Sequence, residues 1–185
     1  MMVISVITGF KGEGKTVFDV GLIHAAVKAG KRVYTNYTVS FPHEPLHMDA
    51  VMEDTRKLEN SSVHLDEGYM YLDSRKFGSR GNILFSYLTL QSRHLGLDVA
   101  ITAPQFSLID VRERANTDYV YQCRAMRIKG GSLVRCSIEE MEAGLVDRIL
   151  VSCVIVRETR LVRFLFDPRP YFDMYDTHEY VDITI

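Results

Sequence analysis

Apolar residues follow two rhythms along this chain. Val3-Ile4-Ser5-Val6-Ile7 is an almost unbroken apolar run, the pattern of a strand buried on both faces. From residue 17 the spacing lengthens: Val17, Val20, Ile23, His24 and Val27 recur three and four apart, which predicts a helix packed on a sheet. Gly30 ends that helix, and Val33-Tyr34-Thr35-Asn36 predicts a second strand. The order is β-α-β, which implies a right-handed parallel crossover. Pro42 and Pro45 mark a loop, and Met48 to Leu58 has the spacing of a short helix with Met48, Val51, Met52 and Leu58 inward. Ser62-Val63-His64-Leu65 predicts a third strand, in which His64 faces away from its apolar neighbours and has a structural role. Gly68–Arg80 reads as a loop over the site, Ile83 to Leu95 as a helix stopped by Gly96, and Asp98–Ala103 as a fourth strand stopped by Pro104-Gln105.

The last third changes character. Ile109–Ala115 is a short helix or turn, and Asp118–Cys123 opens a β-rich region. Gly130-Gly131 is a tight-turn signal. Ser137 and Glu140 have capping-box spacing for a brief helix ended by Gly144. Ile149–Val156 and Leu161–Phe166 predict an antiparallel hairpin, and 167–185 an aromatic tail that packs back on the body. The pattern predicts one α/β domain over 1–185, with a parallel core (1–116, helices on both faces) and a β-rich extension (117–185) of antiparallel strands. The core strands are expected at 2–8, 32–36, 62–66 and 98–103.

Composition narrows the class. The chain has 185 residues, 46% hydrophobic and 25% charged, which suits one globular domain with a real core. A formal net charge of −2 gives no global basic field, so any nucleic-acid contact must rest on local patches. No apolar run is long enough to span a bilayer, and the N-terminus has no signal-peptide pattern. Cys123, Cys136 and Cys153 are far apart without CxxC spacing, which reads as reduced structural thiols in a cytoplasmic protein. His43 and His47 are four apart, but Pro45 lies between them and no further ligand is near, so they read as loop residues and not as a metal site.

The chemistry lies at strand ends. Gly9-Phe10-Lys11-Gly12-Glu13-Gly14-Lys15-Thr16 fits G-x-x-x-x-G-K-[ST], between a predicted strand and a predicted helix starting at Val17. In that setting the backbone N–H groups of 9–17 point at an anion, and the helix start adds partial positive charge. Lys15 is expected to reach the β- and γ-phosphates of ATP, and the Thr16 hydroxyl to ligate Mg. Asp66-Glu67 ends the third strand 50 residues after Thr16, the Walker B position: Asp66 for the Mg hydration shell, Glu67 as general base. Gln105, at the tip of the neighbouring strand, has the position of a γ-phosphate sensor; the alternative is a Gln in a turn after Pro104.

Around these motifs the text LDEGYMYLDSR, SRHLGLDVAITAPQ, DVRERANTD and FDMYDTHE resembles the zonular occludens toxin-like family. These are phage and viral assembly or packaging ATPases related to the HerA–FtsK DNA pumps. The resemblance implies a P-loop NTPase with an additional-strand (RecA-like) core, a Glu base, a Gln sensor, a ring-shaped and expectedly hexameric oligomer, and DNA as cargo. Lys15, Thr16, Asp66, Glu67 and Gln105 match its pattern residue by residue. It also implies an arginine finger from a neighbouring subunit, for which Arg112 and Arg114 are favoured over Arg93 and Arg80. Phage members carry a membrane-spanning segment and this sequence has none, which favours packaging over membrane-coupled extrusion, with capsid or membrane-assembly proteins as further partners.

Between Asp110 and Arg135 six basic residues (Arg112, Arg114, Arg124, Arg127, Lys129, Arg135) face three acids (Asp110, Glu113, Asp118). Arg124, Arg127, Lys129 and Arg135 are therefore DNA candidates, with Lys129-Gly130-Gly131 suited to a pore loop on phosphates. A charged strand edge that prevents aggregation is the competing explanation. The expected function is ATP hydrolysis driving DNA translocation. A nucleotide-dependent assembly switch and a small-molecule kinase are the rivals; no N-K-x-D motif points to guanine.

Overall fold

A computed structural model describes residues 2–46, 55–70, 86, 89–92 and 94–176. Nine strands among them form one sheet: β1 (Ile4–Thr8), β2 (Arg32–Thr35), β3 (Glu44–Pro45), β4 (Ser61–Leu65), β5 (Asp98–Ala103), β6 (Tyr119–Lys129), β7 (Ser132–Arg135), β8 (Arg148–Ile155) and β9 (Arg160–Phe166). The α-helices with full bounds are α1 (Lys15–Lys28), α2 (Val111–Asn116) and α3 (Ile138–Glu142), and residues 89–92 and 94–95 are helical as well. The four expected core strands are present within one or two residues of their predicted ends, as hydrogen-bonded boundaries normally allow.

The sheet order is β3-β2-β4-β5-β1-β6-β8-β9, with β7 on β6. From β3 to β6 every pairing is parallel. β5 lies between the strand that feeds the glycine loop and the strand that ends in Asp66, which is the additional-strand arrangement. The change from parallel to antiparallel falls at β6 itself. Ser5–Thr8 pair parallel with Tyr119–Gln122, while the other edge of β6 pairs antiparallel with β8 from Tyr119 to Met126. One strand therefore belongs to both the core and the extension.

β7 has an informative place. Met126 pairs with Arg135 of β7 and with Arg148 of β8. A strand residue has two edges, so β7 lies on the edge of β6 that β1 occupies lower down. The β6–β7 hairpin thus continues the sheet beyond the carboxyl end of β1. Its turn, Gly130-Gly131, has φ of 57° and 78°, the two positive values that a two-residue hairpin turn of matching twist requires.

Two apolar layers flank the sheet. Ile4, Val6, Val63, Leu65, Val99 and Ile101 point to one side, with Leu58, Leu97 and Ile109 packed on them. Ile7, Ala100, Cys123, Ile149 and Val151 point to the other, against Val17 and Phe18 of α1. The strict alternation along β1 is what splits one apolar run into two layers. α1 is covered on a further side by the tail: Tyr171 stacks on Phe166 and meets His24 edge-on. A Cβ at Gly21 would lie 2.8 Å from the Phe166 ring, so this close approach needs glycine. The described part of the tail, 167–176, packs back on the body, in a 3-10 turn (Arg169–Met174) and one bridge from Tyr175 to Val39.

Other expectations divide. The capping box on Ser137 and Glu140 is present, and Gly30, Gly96 and Gly144 follow their helices with positive φ. The loop expected at Pro42–Pro45 contains the two-residue strand β3 paired with β2. Of the helix expected from Met48 to Leu58, the described part is a 3-10 turn at Thr55–Leu58 with Leu58 buried. Most of the loop expected at 68–80, together with Arg80, Arg93 and His47, lies outside the described residues. No helix among the described residues is long and apolar enough to cross a membrane.

All three thiols are buried and unpaired. Burial pushes the Cys123 thiol up to about 12, only partly opposed by the Lys15 ammonium. Only the thiolate reacts. The native protein should therefore resist a thiol reagent at pH 8, and all three cysteines should react once it is unfolded; fast native labelling would contradict this packing.

Candidate nucleotide-binding site

The site forms where β1, β4 and β5 end. After Thr8 the chain turns through the glycine loop into α1. Gly14 occupies the cap position with φ of 88°, and a Cβ there would lie 2.3 Å from Ile149 Cδ1. Both the conformation and the space exclude a side chain. The first N–H groups of α1 have no partner within the helix, and with the loop amides they are donors suited to an anion. Lys15 is buried, and its Nζ donates to the carbonyl of Phe10 (3.3 Å) within the same loop. Phe10 itself is 60% exposed.

α1 is fastened to β4 at two heights. Thr16 Oγ1 donates to the Asp66 carboxylate (3.2 and 3.1 Å). Three residues on, Asp19 accepts from His64 Nδ1 (2.7 Å) and from the Tyr37 hydroxyl (2.8 Å). His64 Nε2 meets Ser62 Oγ at 2.9 Å. Positions 16 and 19 share a helix face and positions 64 and 66 share a strand face, so the two contacts are in register. His64 has the structural role expected of it: its ring, 2% exposed, holds the loop's helix against β4.

Asp66 is the centre of the cluster. Thr102 Oγ1, from the tip of β5, donates to Asp66 Oδ1 at 2.6 Å and accepts from the Glu67 amide at 2.9 Å. Asn36, after β2, takes both main-chain groups of Asp66: its Oδ1 accepts from Asp66 N (2.8 Å) and its Nδ2 donates to Asp66 O (2.9 Å). Burial is the main cause that pushes the Asp66 carboxyl up. The Thr102 and Thr16 hydroxyls oppose it, and the charges of Asp19 and Glu67 reinforce it. Its carboxylate accepts from two neutral hydroxyls. A half-buried carboxylate and a helix-start hydroxyl beside a glycine loop fit a divalent cation of the Mg type. No group of three or more His, Cys, Asp or Glu able to hold a metal by themselves occurs among the described residues.

Glu67 follows with φ of 51°, an uncommon value for a residue with a side chain. Its amide is used by Thr102 and its carbonyl accepts from Met70 N (2.9 Å). Burial, and then the negative charge of the nearby Glu67, push the Tyr69 phenol up. Gln105 is exposed one residue after Pro104, whose carbonyl accepts from Gly9 N (3.4 Å). It therefore stands beside the start of the loop.

The remaining candidates sit apart from this cluster. The Glu13 side chain, 2% exposed, leaves the loop and accepts from Ala125 N (2.9 Å) and from Arg135. Of the loop, only its backbone is available to a ligand at this position. Arg112 grips Asp110, the N-cap of α2, through Nε (2.9 Å) and Nη2 (3.2 Å). Arg114 has its Nε buried without a hydrogen-bond partner among the described residues. Arg127 and Lys129 both pair with Glu140. Arg124 is exposed on β6. Sequence reasoning missed Asn36 and Thr102. The available signal was a polar residue at each strand's carboxyl end, interrupting or following an apolar run.

Strand order, glycine loop and the Thr16–Asp66 contact together define the P-loop NTPase fold. Comparison with protein-family models finds no match, and no curated protein matches. Solved structures do. The N-terminal domain of zonular occludens toxin from Neisseria meningitidis is similar with a TM-score of 0.65 and 20% identity, over 95% of this chain and 100% of that one. The genome packaging NTPase B204 from Sulfolobus turreted icosahedral virus 2 in complex with AMP has a TM-score of 0.60 and 12% identity, over 88% and 96%. Its complex with ATP-gammaS has a TM-score of 0.57 and 10% identity, over the same shares.

Thr102→Val removes a donor from Asp66 and an acceptor from the Glu67 amide. The loss expected in urea unfolding is about 1–3 kcal/mol, and Thr102→Ser should recover most of it. Equal stability of Thr102→Val and the parent would show that this hydroxyl does not hold the strand ends.

Proposed function

We propose that this chain binds Mg-ATP at the loop 9–16 and hydrolyses it to translocate DNA, in packaging or extrusion of a viral or mobile-element genome. The observation that carries the reading is the Asp66 carboxylate, joined to the loop helix by Thr16 and to the neighbouring strand by Thr102, with Glu67 next in sequence. The likeness to a genome packaging NTPase supports it at the level of fold.

In this reading Lys15 exchanges the Phe10 carbonyl for the β- and γ-phosphates, while the loop amides cradle them. Thr16, and Asp66 through the hydration shell, would hold Mg, which would supply positive charge against the charge that develops on the phosphoryl oxygens. Glu67 takes a proton from the attacking water. Gln105 senses the γ-phosphate from beside Gly9. A neighbouring subunit completes the site with Arg112 or Arg114, which implies a ring, hexameric by analogy. Arg112 has to leave Asp110 to do so, whereas the Arg114 Nε has no such competitor among the described residues. The β6–β7 hairpin, with Arg124, Arg127, Lys129 and Arg135, carries the DNA contact. The setting is the cytoplasm of a cell, with capsid or membrane-assembly proteins as further partners.

The test is the ATPase rate with and without single- and double-stranded DNA at low salt. Stimulation by one DNA form, absent in Lys15→Ala, is the expected result. Glu67→Gln should bind ATP-gammaS with near-parental affinity and lose roughly a hundredfold or more in turnover, the usual scale for a general base. A rate that ignores DNA would instead favour a nucleotide-dependent assembly switch. Unchanged turnover in Glu67→Gln would remove Glu67 as the base.

A further inference from the structure

A carboxylate inside an anion-binding loop calls for an explanation. Glu13 lies between the two glycines that shape the loop, and its fixed negative charge opposes the approach of phosphate. The structure turns that carboxylate away from the loop's mouth and spends both oxygens on the extension. Oε2 accepts from the Ala125 amide of β6 at 2.9 Å, and Oε1 pairs with the Arg135 guanidinium of β7. Arg135 is the cation that compensates it. Its side chain is 57% exposed, against 2% for Glu13, so one partner is fixed and the other is accessible.

The loop has little slack against the same extension. A Cβ at Gly9 would lie 3.0 Å from the Cys123 carbonyl, and one at Gly12 would lie 3.2 Å from Met141 Cβ on α3. Within the loop the Phe10 carbonyl accepts from both the Glu13 amide (3.2 Å) and Lys15 Nζ (3.3 Å). Moving Lys15 to a phosphate therefore frees an acceptor that Glu13 shares. Glu13 in turn reaches the hairpin that overhangs β1.

We infer that Glu13 and Arg135 are a positioning pair: Arg135 neutralises Glu13 so that the loop accepts phosphate, and the pair transmits loop occupancy to the β6–β7 hairpin. The inference rests on the nucleotide-binding reading given above, and it does not depend on DNA movement. It has a sign that a merely structural ion pair would lack. Removing Arg135 alone leaves the carboxylate uncompensated and weakens nucleotide binding. Removing both charges restores it.

The experiment is calorimetric binding of Mg-ATP-gammaS, with circular dichroism to show that each variant is folded. Amide hydrogen exchange of residues 125–135 is followed with and without the nucleotide. Arg135→Ala should weaken binding about tenfold, the scale of one charge interaction of roughly 1.4 kcal/mol. Arg135→Lys should stay near the parent. Glu13→Gln, which keeps an acceptor for Ala125, should bind at least as well as the parent. The double variant Glu13→Gln/Arg135→Ala should return to within about threefold of it. Nucleotide should slow exchange at 125–135 in the parent and not in Glu13→Gln. If the folded parent fails to bind, the nucleotide-binding reading falls and this inference falls with it. If the parent binds and Arg135→Ala binds equally well, or the double variant is no better than Arg135→Ala, only the inference is overturned.

Discussion

The structure depends on holding one half-buried carboxylate, Asp66, among neutral donors. Withdrawing a carboxylate from water costs free energy unless hydrogen bonds or charge offset it. Here the offset comes from two hydroxyls, Thr16 from α1 and Thr102 from β5, while Asn36, just after β2, fixes the Asp66 main chain. Each donor sits at a strand end or a helix start because only there can elements from different parts of the chain converge on one point. Burial pushes the Asp66 carboxyl above its ordinary range, and the two hydroxyls draw it back.

The glycine loop is held from both ends of this arrangement. On one side α1 is fastened to β4 through Thr16–Asp66 and Asp19–His64. On the other, Glu13 ties the loop to β6 and β7. A loop with several glycines has much conformational entropy to lose, and two anchors reduce what a ligand must order. The C-terminal extension is therefore not an appendage to a finished core. Ile149 and Phe166 pack against α1, Cys123 and Met141 touch the loop, and β6 serves both halves of the sheet.

Much of the fold was legible in the chain because period and punctuation agreed. The β1 run, the three- and four-residue spacing of α1, the Ser137–Glu140 box and the Gly130-Gly131 turn each describe local geometry, and each is present. The candidate site was legible where a motif fixes backbone and side chain together, as in Gly9–Thr16 and Asp66-Glu67. Thr102 and Asn36 were not, because a Thr in VAITA or an Asn after VYT has a role only once another strand lies beside it. Arg127, Lys129 and Arg135 looked alike in the sequence as basic residues near a turn. Their partners Glu140 and Glu13 come from other elements, and Glu13 is over a hundred positions from Arg135.

By itself the sequence determined what each short stretch would be and which backbone would curl into a glycine loop before a helix, since those follow from side-chain periodicity and glycine placement. It also determined that an acid pair would end a strand. Tertiary structure alone decided the strand order that puts β5 between the loop strand and the Asp66 strand. It decided which hydroxyls meet that carboxylate, and that the acid inside the loop turns outward to β6 and β7. Those choices depend on contacts between residues far apart in the chain, and such contacts exist only when the sheet has closed.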